Sequence, residues 1–301
     1  MHPAPSIIVF TTLSGLGYGL AAVLGLGLLD PAALSTEIAH VLALALIAAG
    51  LSFSTLHLGN PQRAWRAFSQ WRSSWLSREG VLALVTFVPL VVSAWGSVVE
   101  GRYMLIPGLL GTLLCAAVVY CTAMIYASLK SIDAWHTPLT PVCYLLFSAA
   151  GGLLLAGLFS LSEAILVASL FFVAAAWSAK RMWWTRLATL EPLSTPESAT
   201  GLGAIGRVRL FERPHINDNY LTREMGFRIA RKHAATLERL AVVVGGLVPG
   251  LLVVAAMATG GTVLPTLLCT VAALLFVAGI LMERWLFFAT ARHAVMNYYG
   301  G

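Results

Sequence analysis

Residues 57–79 read HLGNPQRAWRAFSQWRSSWLSRE, a basic and aromatic stretch lodged between two apolar runs at 36–58 and 79–99. About 20 predominantly apolar residues carry a helix across the hydrocarbon core of a bilayer, and both flanking runs meet that length. The stretch between them interleaves Arg63, Arg66, Arg72 and Arg78 with Trp65, Trp71 and Trp75. Arg and Trp collect at membrane–water boundaries, so the stretch reads as a loop joining two membrane helices. Its opening, Leu58-Gly59-Asn60-Pro61, is a helix stop followed by a proline-restrained exit, which would hold His57 at a fixed height.

The same reading extends along the chain. Of 301 residues, 58% are hydrophobic and 11% charged, with a mean hydropathy of +0.83. Soluble domains carry roughly twice that charge, so a soluble protein is excluded. Eight apolar spans are expected, at 6–29, 36–58, 79–99, 104–128, 138–160, 162–179, 236–258 and 263–290. The fold class is an all-α integral membrane protein: one membrane domain over 1–301, a bundle of eight transmembrane helices with a long cytoplasmic loop between helices six and seven. The first run follows MHPAPS, with no Lys or Arg before it and no small-residue cleavage site, so a retained helix is expected rather than a signal peptide.

Eight spans put both termini on one side, together with the 59–78, 129–137 and 180–235 connections. The short loops on that side carry the four Arg of 59–78 and Lys130; the opposite side has Arg102 beside Asp30, Glu37, Glu100 and Glu163. The Lys/Arg bias of short loops favours both termini in the cytoplasm. The net charge of +6 is thereby read as orientation in a membrane and not as affinity for nucleic acid. Within 180–235, a Pro-, Ser- and Gly-containing middle gives way to a basic, partly amphipathic stretch from Tyr220 to Arg239. It suits an interfacial helix on anionic lipid or a docking surface for a peripheral partner, and the two are compatible. The glycines of SGLGYGLAAVLGLG (14–27) lie in an apolar helix that follows no strand, so close helix packing explains them better than phosphate binding. Cys115, Cys121, Cys143 and Cys269 all fall in apolar runs without metal-type spacing and read as buried thiols.

Ionisable groups at membrane depth are costly and tend to mark function. His57 ends span two, Glu79 opens span three, Arg63 follows the turn, and Glu283-Arg284 lies low in span eight, all near one boundary. A quinone site needs a donor to a carbonyl, a group that exchanges the proton accompanying each electron, and a carboxylate relay to water. His57, Arg63, Glu79 and Arg284 supply those parts, with Trp65 among the aromatics able to flank a ring. Each also has an ordinary reading: a helix-end His bonded to local carbonyls, a helix-N-terminal carboxylate, a structural ion pair. His40 sits about 17 residues before His57, at the opposite depth, so the two cannot share one haem iron. His136 or His293 would pair with His57 only by chance placement, and no zinc or iron–sulfur motif is present. No chain of ionisable groups crossing the membrane is legible.

At these residues the chain resembles the membrane anchor subunits of the dimethyl sulfoxide reductase family. The resemblance covers nearly the whole length: MHPAPSIIVFTTLSGLGYGL at the start, HLGNPQRAWRAFSQWRSSWLSREG, DNYLTREMGFRIARKHA, and ERWLFFATARHAVMNYYG at the end. It implies an eight-helix anchor in the bacterial inner membrane that binds a quinone, ubiquinone or menaquinone, and lacks haem. An iron–sulfur subunit would dock on its cytoplasmic face and carry a molybdopterin catalytic subunit; molybdopterin and clusters stay in those partners. The family's quinone-site His and Glu fall on His57 and Glu79. The long 180–235 connection looks more like the sulfite-oxidising branch, with electrons passing to quinone, than the compact sulfoxide-reducing anchors, in which quinol is oxidised. A secondary transporter is the reading from another class. It expects inverted repeats and mid-membrane polar groups, whereas here the ionisable groups gather at one boundary. A purely structural tether is the third.

Overall fold

The computed structural model describes residues 3–55, 60–191, 195–212 and 229–299; His57 and residues 220–228 of the basic stretch lie outside them. Among the described residues the chain is helical, with eight helices long and apolar enough to cross a membrane. These are α1 (Pro5–Gly25), α2 (Leu34–Thr55), α3 (Trp75–Val98), α4 (Leu105–Ala127), α5 (Leu139–Phe159), α6 (Glu163–Thr189), α7 (His233–Ala258) and α8 (Val263–Ala289). Consecutive helices pair as hairpins, α1 with α2, α3 with α4, α5 with α6 and α7 with α8. α1 runs through the middle, packed against α2, α4, α5 and α8.

Small residues set the closest of these contacts. A Cβ on Gly19 of α1 would overlap the Ser148 carbonyl of α5, and one on Gly152 would overlap the Gly19 backbone. Lipid and side chains are equally apolar, so helices in a membrane associate by close packing of this kind. Beyond α1 the chain turns at Gly27, whose φ of +69° suits glycine. In α7, Pro249 has no N–H to give the Gly245 carbonyl four residues back. The helix widens there into a π turn over Val243–Leu247, and Trp177 Nε1 of α6 donates to that carbonyl at 2.8 Å. A freed backbone group inside a membrane must find such a partner.

Several helix ends differ from the sequence expectation, the first span closing at Gly25 and not at 29, and two of the differences matter for function. The third span, expected to open at residue 79, begins at Trp75. Ser74 caps it by accepting from the Ser77 N–H, and the Ser77 hydroxyl accepts from Gln70 N at 3.2 Å. The sixth span, expected to close at 179, continues to Thr189. Lys180, expected in the long loop, is therefore inside a helix and 1% exposed. A charge that finds a counter-charge does not have to end a membrane helix, and Arg186 secures the final turns by donating to the Asp133 and His136 carbonyls.

The α4–α5 connection, the end of α6 and the end of α8 meet at one end of the bundle. Ala294 N donates to Ser131 O at 2.9 Å, and Trp135 Nε1 donates to the Phe287 carbonyl at 2.9 Å. Beneath them Tyr126, Trp135, Tyr144, Trp183, Phe287 and Phe288 form an aromatic cluster, with Trp135 and Phe287 stacked at 5.2 Å. The turns at the opposite end are short.

Candidate functional site

Residues 61–70, Pro61–Gln70, form a 3-10 helix on the surface at the same end. Arg63 is exposed and Trp65 is 64% exposed. The guanidinium of Arg66 lies 5.5 Å from the Trp65 ring, that of Arg72 5.4 Å from Trp71, and that of Arg78 4.3 Å from Trp75. Arg78 also donates to the Trp71 and Arg72 carbonyls at 3.0 and 2.7 Å, which ties the loop to the start of α3. Arg63 and Trp65 thus face outward, away from the buried groups expected to share a site with them.

Glu79 lies one turn inside α3, 4% exposed, and accepts a hydrogen bond from the Thr122 hydroxyl of α4. Because α3 starts at Trp75, the carboxylate does not sit at the helix N-terminus as expected but faces the bundle interior. Arg284 is buried on α8, its guanidinium 3.7 Å from the centre of the Tyr144 ring. Arg284 Nη1 is 3.4 Å from Glu283 Oε2, the pair expected from the sequence. The shorter contact was not foreseen: Lys180 Nζ of α6 lies 2.6 Å from Glu283 Oε1 and 3.7 Å from the centre of the Trp183 ring.

Lys180, Glu283, Arg284 and Glu79 are the buried charged residues among those described. Two acids and two bases sum to zero when all are ionised. Lys180, Glu283 and Arg284 form one ion cluster, whereas Glu79 is held by Thr122; a buried charge is costly unless it is paired or hydrogen-bonded.

A cavity with several polar groups in its wall lies between Arg284 and Thr122. Its volume is about 20 Å³, and its wall includes Thr122, the partner of Glu79, together with Tyr144 and Arg284. Tyr18 and Thr12 of α1 line it too. An apolar cleft of about 270 Å³ between α1, α4, α5 and α6 shares Tyr18, Val119 and Ser148 with it and runs toward the other end of the bundle.

Two of the histidines weighed for haem, His136 and His293, have backbone partners. His136 Nδ1 is 2.7 Å from the Ala127 carbonyl, and His293 Nδ1 accepts from Val295 N at 3.1 Å. All four cysteines are buried and free.

Comparison with known proteins places the chain. The family model of the DMSO reductase anchor subunit (DmsC) matches residues 1–290. The chain belongs to this family. It is also 35% identical, over 333 aligned positions covering 99% of both chains, to a sulfite dehydrogenase subunit of Allochromatium vinosum. No solved structure matches it. The chain is therefore a multi-pass membrane anchor subunit of an oxidoreductase complex, as the resemblance of its sequence implied. The transporter alternative gives way to that membership.

Sequence reasoning missed Lys180, Thr122, Tyr144 and Tyr18. Lys180 carried a signal: the first charge after an apolar run, followed by Arg181 and a Trp pair that could still belong to a helix. A lone Thr or Tyr in an apolar helix carries none, because only the packing decides what it faces.

Proposed function

We propose that this anchor passes electrons between an iron–sulfur subunit and membrane quinone, with Glu79 handling the accompanying proton. The observation that carries the reading is the placement of Glu79: buried, bonded to Thr122, and near the end of the bundle where the basic 3-10 helix lies. A buried carboxylate beside a polar cavity suits proton exchange with a substrate at the membrane boundary. The cavity is water-sized, so the quinone ring would sit on the opposite side of Glu79, toward the 3-10 helix over Pro61–Gln70. His57, the His that the sequence resemblance assigns to the quinone site, would donate to a quinone carbonyl. Arg63, Trp65 and their neighbours on the exposed 3-10 helix would meet the iron–sulfur subunit, which in turn carries the molybdopterin subunit.

Similarity to the sulfite dehydrogenase protein favours sulfite as the electron source and quinone as the acceptor. Quinol oxidation in a sulfoxide-reducing complex would use the same residues in reverse. The test is substitution of Glu79→Gln and His57→Ala in the whole complex, followed by two assays on each purified variant. Turnover with an artificial soluble acceptor should persist, and turnover with a quinone should be lost. Wild-type quinone turnover in both variants would refute the site. Sulfite and sulfoxide assays on the same material decide the direction.

A further inference from the structure

The wall of the 20 Å³ cavity is rich in polar atoms whose hydrogen bonds can be counted. Thr11 and Ser14 donate to carbonyls of their own helix, at 2.9 and 2.7 Å, and Ser148 donates to Gly15 O at 2.7 Å. The Thr122 hydroxyl donates to Glu79 and has the Val118 carbonyl at 3.1 Å as a second acceptor, and the remainder are the hydroxyls of Thr12, Tyr18 and Tyr144 and the Nε and Nη1 of Arg284. Each is fully buried and has no hydrogen-bond partner among the described residues, Nη1 meeting Glu283 as an ion pair. Buried polar groups are nearly always satisfied, because an unmet one forfeits its hydration with nothing in return. Four such side chains converging on one small space point to a shared partner. A cavity of about 10–15 Å³ or more with two to four polar partners is what an ordered water requires.

We propose that this cavity holds a bound water that links Arg284 and Tyr144 to Thr122, which makes Arg284 a positioning residue for Glu79. The donors run in one direction. An Arg284 N–H donates to the water oxygen, the water donates to Thr122 Oγ1, and the Thr122 hydroxyl donates to the Glu79 carboxylate. Glu283 holds Arg284 in its charged form from the other side, with Lys180 completing the cluster. A chain of donors that ends on a charge is strengthened along its length in a low-dielectric interior. Through it the ion cluster of α6 and α8 fixes the orientation of a carboxylate on α3, although no direct contact joins them. The proposal rests on the reading that Glu79 serves the quinone reaction, but the water itself is a property of the anchor alone.

The experiment uses the whole complex in lipid nanodiscs, with cryo-electron microscopy at a resolution that shows buried waters elsewhere in the chain. Wild type should show density within hydrogen-bond distance of Arg284, Tyr144 and Thr122. Tyr144→Phe, which keeps the ring under Arg284, should weaken or abolish that density. The same variant should lower quinone-linked turnover about tenfold, the rate equivalent of one hydrogen bond of about 1.4 kcal/mol, with the quinone KM within about twofold. Thr122→Ser should retain turnover and Thr122→Val should lose it, which a merely structural role for the side chain would not separate. Absence of density in wild type would overturn the bound water. Unchanged turnover in both Tyr144→Phe and Thr122→Val would overturn the positioning role. Full quinone turnover in Glu79→Gln would instead refute the quinone reading, and the density would still stand or fall by itself.

Discussion

Lys180→Met tests whether Lys180, Glu283 and Arg284 behave as one set. Methionine keeps most of the volume against Trp183 and removes the charge. At an effective dielectric of about 20, two unit charges attract by roughly 6 kcal/mol at the 2.6 Å of Lys180–Glu283 and roughly 5 kcal/mol at the 3.4 Å of Arg284–Glu283. Desolvation offsets much of either figure, and removing one partner of a buried pair costs about 3–5 kcal/mol net. The single variant leaves Glu283 with Arg284 alone; Glu283→Gln leaves two neighbouring cations without their shared carboxylate. The double variant removes the tightest pair whole. The assay is thermal unfolding of the detergent-solubilised anchor, followed by tryptophan fluorescence. At about 2 °C per kcal/mol for a chain of this size, each single variant should lose roughly 6–10 °C. The double variant should recover at least half of the summed loss. Losses that add to within about 0.5 kcal/mol would refute the reasoning, since independent sites add and coupled ones do not.

Gly152→Val should prevent the α1–α5 contact and cost about 3 kcal/mol in the same assay. Gly15→Ala, on a position whose Cβ would meet nothing within 4 Å, should cost nothing and gain up to about 1 kcal/mol from helix propensity. Trp177→Phe removes the donor to the carbonyl that Pro249 releases, and a loss of about 1 kcal/mol should appear in denaturant or thermal unfolding. Arg63→Ala with Arg66→Ala, both exposed, should change stability by less than about 0.5 kcal/mol. The same pair should weaken co-purification of the partner subunits at low salt, and the difference from wild type should shrink at high salt, because salt screens the fields of rim charges.

The eight spans, the end at which the loops gather and the family are legible from the residues without any fold. Each of these is written in local patterns: runs of about 20 apolar residues, the Arg and Trp placement of 57–79, and long motifs that survive without reference to packing. The sequence also singled out Glu79 and Arg284, since a charge within an apolar run is conspicuous wherever it points. What those charges face depends on how the helices pack. The Ser74 cap moved Glu79 from a helix end to the interior, and the extra turns of α6 carried Lys180 from a loop to a position beside Glu283. Thr122, Tyr18 and Tyr144 became part of a site because α1, α4, α5 and α8 close around one small cavity. A helix shows its hydrophobicity in its own residues, but the partner of a buried polar group lies on another helix, far away in sequence, and only packing brings the two together.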